Sequence, residues 1–158
     1  MKPPTRIFLD SNVLVEGVCA EWSDARAVLI LARTKAFLLV LSPYVEEEVE
    51  NALLARLQSD EEEGSRFINA YDRALRVLAP ERTPRITPEE YRTHRSWIRH
   101  LNDVPVLVTA IKAAPDFLIT SNTEHFTPEV ATRAGLRIVT PREFLHSCAL
   151  RAIADHLQ

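Results

Sequence analysis

At 158 residues, 46% of them hydrophobic and 26% charged, the chain is about one domain long and can bury a sizeable core without staples. Two cysteines, Cys19 and Cys148, give neither a disulfide framework nor metal-ligand spacing, so both read as buried thiols of a reducing cytoplasm. No apolar run approaches the roughly 20 residues a membrane span needs, Met1-Lys2-Pro3-Pro4 leads straight into an apolar run, and the net charge of -3 argues against a chain that grips nucleic acid by bulk charge; a soluble, cytoplasmic protein is expected.

The first predicted element is a short buried strand at Arg6-Ile7-Phe8-Leu9, ending in the polar trio Asp10-Ser11-Asn12. In a parallel sheet the ligand crevice lies beyond the carboxyl ends of the strands, so Asp10 either points into that crevice or caps the next helix. Val13 to Val18 form a short helix and Ser23-Asp24 open another through Arg33, with Trp22 in the bend between them. Ala36 to Leu41 is a continuous apolar run, the pattern of a strand buried on both faces. Ser42-Pro43 then supplies an N-cap and a proline at the first helical position.

The helix after Ser42 carries Glu46, Glu47, Glu48 and Glu50 beside an apolar face of Val45, Val49, Ala52 and Leu53. Glu48 borders that face, whereas Glu47 points away from it. A carboxylate at the edge of a core needs a partner or a job. Asp60-Glu61-Glu62-Glu63 opens a further helix packed through Phe67, Ile68, Tyr71, Leu75 and Leu78. Between Pro80 and His100 the texture changes. Arg82, Arg85, Arg92, Arg95 and Arg99 outnumber the acids, and Tyr91 and Trp97 are interleaved among them. Arginines and aromatics on one helix can follow a phosphate backbone and stack on bases, or form a solvated helix with its tryptophan turned inward.

Asn102-Asp103-Val104-Pro105 opens an apolar helix through Ile111, with Asp103 as a plain N-cap or a crevice residue. Asp116 to Thr120 is a third buried strand, followed by Ser121-Asn122-Thr123-Glu124-His125. Ala134 to Thr140 give a turn and a fourth strand, and Pro141 starts the terminal helix. Alternating strands and helices imply a parallel sheet of four to five strands inside a three-layer α/β/α sandwich. Asp10, Thr120 and Asn122 then share one sheet edge, onto which Glu48 and Asp103 open. Oxygen donors without a Cys or His cluster suit Mg2+ or Mn2+ better than zinc.

In their order, Leu9-Asp10-Ser11-Asn12-Val13-Leu14, Ser42-Pro43 with Glu48-Val49, Asn102-Asp103-Val104-Pro105-Val106-Leu107 and Leu118-Ile119-Thr120-Ser121-Asn122 resemble the PIN domain. The resemblance implies a PIN-like domain over residues 1–158 with its core at about 6–145. It implies a Mg2+- or Mn2+-dependent endoribonuclease acting on single-stranded RNA, the toxin of a toxin–antitoxin pair, with a homodimer and an antitoxin as partners. Asp10, Glu48 and Asp103 match the family's catalytic metal ligands, and Asn12 and Thr120 its supporting amide and hydroxyl. Asn122 stands where many active members carry aspartate, with Glu124 and His125 as the nearby substitutes. That departure keeps a second reading open: a catalytically weak or inactive PIN-like module that binds RNA or protein. On the nuclease reading Ser11 caps the first helix, Asn12 orients Asp10 or a metal-bound water, and Arg92, Arg95 and Arg99 contact RNA. A haloacid-dehalogenase-like phosphatase fits poorly, because its second acid would fall at Asn12 and its later lysine and paired aspartates are missing after Asn122.

Overall fold

The computed structural model describes residues 3–157; Met1 and Lys2, expected to lead into the first strand, lie outside the described residues. Five strands form one all-parallel sheet: β1 (Thr5–Leu9), β2 (Phe37–Leu41), β3 (Glu81–Arg82), β4 (Phe117–Ile119) and β5 (Ile138–Val139), in the order β3-β2-β1-β4-β5. The central strand is apolar on both faces, and Ile7, Phe8 and Leu9 are fully buried.

Four helices fill the first two crossovers: α1 (Ser11–Cys19), α2 (Asp24–Arg33), α3 (Pro43–Ser59) and α4 (Glu61–Leu78). The return across the sheet carries α5 (Pro88–His94), a 3-10 turn at Leu101–Asp103 and α6 (Val104–Ala113); α7 (Pro128–Ala134) precedes β5 and α8 (Pro141–His156) follows it. The chain runs outward from β1 through β2 to β3, then reverses to β4 and β5. Right-handed crossovers therefore put α1 to α4 on one face and α5 to α7 on the other. The reversal makes the carboxyl ends of β1 and β4 a topological switch point, the place where such sheets bind ligands.

Local chemistry sets the helix starts. Ser42 accepts a hydrogen bond from the Tyr44 N–H ahead of Pro43, and Thr87 with Glu90 closes a capping box on α5. α3 and α4 form a tight hairpin around Gly64, where a Cβ would lie 2.3 Å from the Leu57 Cα. Only glycine fits that approach.

Several expectations are corrected. The first helix spans Ser11–Cys19, longer than Val13–Val18, and β3 lies inside the segment read as broken chain. The basic segment is not one helix: α5 ends at His94, so Arg95 and Arg99 follow it in turns. Cys19 and Cys148 are free and half-buried rather than buried. Among the described residues no helix is long and apolar enough to cross a membrane.

Candidate active site

Asp10 is the residue at which β1 stops, and its surroundings account for its burial. Its N–H donates to the Ile119 carbonyl (3.0 Å), so the ends of β1 and β4 are zipped together beneath the side chain. With 4% of its surface exposed, the carboxylate must be satisfied from within the protein. Oδ1 accepts from the Ser11 N–H (2.8 Å); Oδ2 accepts from Thr120 Oγ1 (2.7 Å) and Asn12 Nδ2 (3.1 Å). Asp10 itself is the N-cap of α1, which corrects the expectation that Ser11 would cap.

Ser11, released from capping, donates its hydroxyl to Glu48 Oε2 at 2.5 Å. That bridge couples α1 to the second turn of α3 and links the Asp10 and Glu48 carboxylates through one residue. Asn12 works in both directions: its amide donates to Asp10, and its Oδ1 accepts from the Ser121 N–H (3.0 Å). It thereby ties the two loops of the switch point together and holds one oxygen of Asp10.

Asp103 arrives from the opposite face, in the 3-10 turn before α6, and makes no side-chain capping bond. Its Oδ2 accepts a 2.6 Å hydrogen bond from His125 Nδ1. His125 in turn is stacked on His100, with ring centroids 3.5 Å apart and planes 14° from parallel. Asn122 makes a different contribution from the carboxylate it replaces. Its N–H donates to Thr120 Oγ1 (3.0 Å) and its Oδ1 accepts from the His125 N–H (3.3 Å), so it folds the loop that delivers His125. His125 reaches the acidic residues from this loop, whereas Glu124 is exposed.

The electrostatics follow from this crowding. Burial pushes the Asp10 carboxyl above its ordinary range, the hydrogen bonds from Thr120, Ser11 and Asn12 pull it back, and the Asp103 charge adds to the rise. Glu48 is raised by burial and then by the charges of Asp10 and Asp103, against the Ser11 hydrogen bond. Three acids thus feel one another, and among the described residues neither Asp10 nor Glu48 has a Lys, Arg or His ion-pair partner. No three His, Cys, Asp or Glu side chains among the described residues stand close enough to form a ready metal cage. The donor set still fits a hard cation that keeps part of its water shell and needs one or two direct carboxylates, as Mg2+ does.

Beside Glu48 a cleft of about 530 Å³ runs between α1 and α3 from Ser11 and Asn12 to Arg56. Across the surface, Arg82 pairs with Glu46 and Arg85 with Glu47. Arg92, Arg95 and Arg99 are exposed and form no ion pair among the described residues.

A parallel α/β/α fold with acids gathered at its switch point defines a class of ligand-binding proteins. Within it this chain belongs to the PIN-domain family, whose model matches residues 6–124. Its fold is similar to that of VapBC2 from Rickettsia felis, solved bound to a DNA fragment from its promoter: TM-score 0.61, 19% identity, over 86% of this chain and 98% of that one. It is also similar to PAE2754 from Pyrobaculum aerophilum, with TM-score 0.64, 14% identity and coverage of 92% and 90%. At such identities the likeness is one of fold. No curated protein matches the chain.

Proposed function

We propose that this PIN-domain chain is a Mg2+- or Mn2+-dependent endoribonuclease that hydrolyses phosphodiester bonds in single-stranded RNA, with Asp10, Glu48 and Asp103 as its catalytic, metal-holding residues. PIN domains are generally nucleases. The observation that carries the reading is that three carboxylates from three elements feel one another at the switch point without closing into a ready cage, Asp10 and Glu48 being raised by burial and by neighbouring acids and lacking a Lys, Arg or His ion-pair partner among the described residues.

A bound divalent cation would supply the missing positive charge, polarise the phosphate and lower the pKa of an attacking water. The chain's own residues do the rest. Thr120, Ser11 and Asn12 fix both oxygens of Asp10, so its orientation is set before substrate arrives. Ser11 occupies Glu48 Oε2, which leaves Oε1 to accept the proton of the attacking water. His125 holds Asp103 through its Nδ1 hydrogen bond. The cleft toward Arg56 is a path for a single strand, and Arg92, Arg95 and Arg99 offer cations to its phosphates.

The likeness to a VapBC complex supports a toxin role with an antitoxin as protein partner; homodimer formation and a cytoplasmic setting are part of the same proposal and rest on the family resemblance. The competing reading, a non-catalytic RNA- or protein-binding module, draws on Asn122, whose side chain serves the loop rather than the acidic cluster. A cleavage assay separates them. Purified chain should cut a single-stranded RNA in Mn2+ or Mg2+, stop with EDTA, and lose at least about a hundredfold in rate in Asp10→Asn, the equivalent of roughly 2.7 kcal/mol of transition-state stabilisation. Equal residual activity in wild type and Asp10→Asn refutes the enzyme.

A further inference from the structure

The geometry points to a nucleobase platform at the rim of the acidic site: we propose that the stacked rings of His100 and His125 receive, on their open side, a base of the RNA strand that binds there. The inference rests on the ribonuclease reading for its ligand class, and on its own geometry for the place. The two imidazoles lie 3.5 Å apart and nearly parallel, close to the roughly 3.4 Å at which bases stack on one another. His125 is fixed from within by its Nδ1 bond to Asp103 and by Asn122, whose Oδ1 receives its backbone N–H. The His100 backbone is held by its carbonyl, which accepts the Asp103 N–H at 3.0 Å, and its ring by the stack on His125. His100 is nonetheless exposed, and among the described residues His125 is its one ring partner. An exposed aromatic face on an ordered ring is the feature by which proteins hold unpaired bases without reading their sequence. Arg99, the preceding residue, is exposed and forms no ion pair among the described residues, so its cation is free to meet a phosphate of the bound strand.

The arrangement also separates two roles. His125 touches Asp103 and positions it; the His100 side chain bonds to none of the three acids and contributes its ring face. Removing the His100 ring therefore weakens the hold on a base and leaves the carboxylates intact.

The test is binding, measured in Ca2+ so that it does not depend on hydrolysis. With ring-labelled histidines, the wild-type chain is titrated with a short oligoribonucleotide and with an abasic ribose-phosphate oligomer of equal length, and imidazole NMR signals are followed. The RNA should move the His100 and His125 signals upfield by ring current, while the abasic oligomer leaves them in place. His100→Ala should weaken RNA binding about fivefold, the low end of one stacked base, with affinity for the abasic oligomer unchanged, and His100→Trp should restore it. Equal shifts with both oligomers, an unmoved His100 signal at the highest RNA concentration, or equal losses for both ligands in His100→Ala overturns the platform. Absence of hydrolysis in a separate Mn2+ assay refutes the nuclease reading and leaves this binding result standing by itself.

Discussion

Thr120→Val removes a single hydroxyl from the floor of the site and keeps the β-branched shape, so the fully buried packing around it is preserved. Three hydrogen bonds go with that hydroxyl: the 2.7 Å donation to Asp10 Oδ2, the acceptance of the Asn122 N–H at 3.0 Å and a longer acceptance from Asn12 Nδ2 at 3.4 Å. A hydrogen bond to a charged group contributes about 1.5–3 kcal/mol, and a neutral one about 1 kcal/mol. Asp10 retains Ser11 and Asn12 as donors, so the expected loss is in the middle of that range, roughly 2–3 kcal/mol at neutral pH. The sign of its pH dependence follows from linkage. Thr120's bond favours ionised Asp10, so the variant's Asp10 pKa rises further above an already raised value. The wild-type advantage is full while Asp10 is ionised in both folded proteins, and it shrinks as pH falls through the variant's Asp10 pKa and then the wild type's. Urea unfolding followed by far-UV circular dichroism in EDTA, at neutral and at mildly acidic pH, measures both quantities. A neutral-pH loss below about 0.5 kcal/mol, or a loss that grows on acidification, refutes the assignment of Thr120 as the buried donor that keeps Asp10 charged.

Glu48→Gln should stabilise the metal-free protein at neutral pH, because a carboxyl whose folded pKa is raised costs stability above that pKa; the gain should vanish as pH falls through the raised pKa toward the ordinary value. For a chain of this size the midpoint should rise by a few degrees at most, roughly 2–4 °C per kcal/mol, and a fall in thermal midpoint at neutral pH contradicts the repulsion argument. Gly64→Ala should destabilise by about 1–3 kcal/mol in urea unfolding, since the new methyl meets the Leu57 backbone and not a side chain that can swing away. The triple variant Arg92→Ala, Arg95→Ala, Arg99→Ala should lower the salt dependence of RNA affinity by about 0.7 in log–log slope for each phosphate no longer neutralised, while Arg85→Ala, whose cation is already engaged by Glu47, should leave the slope unchanged.

Four of the five strands were legible because each is a run of apolar residues, fully buried along β4 and at the carboxyl ends of β1 and β2 and half-buried in β5, a pattern that needs no partner to be recognised. β3 was not, since Glu81 and Arg82 are two exposed charges whose strand character comes entirely from lying beside Val40 and Leu41. The positions of Asp10 and Glu48 followed from the strand end and from helical spacing beside Val45 and Val49. Their long-range partners did not: Thr120, the donor to Asp10, and Ser11, the donor to Glu48, lie far away along the chain from the acids they serve. Ser11 looked like a cap and is instead the donor to a glutamate 37 residues on. The bond between Asp103 and His125 joins two loops that the backbone brings together only once β4 is in the sheet. Asn122 was read as a missing ligand, and its physical role is that of a turn residue.

The order in which the strands are made has a consequence in time. β1 emerges early, yet its place at the centre of the sheet is completed only when β4 pairs with it, and the donor at Thr120 and the acid at Asp103 belong to the later part of the chain. Until then Asp10 lacks the Thr120 hydrogen bond and the neighbouring strand end that bury it. A partly synthesised chain therefore carries separate carboxylates and no assembled centre. Whatever chemistry the site performs is withheld from the nascent chain and begins with the closing of the sheet.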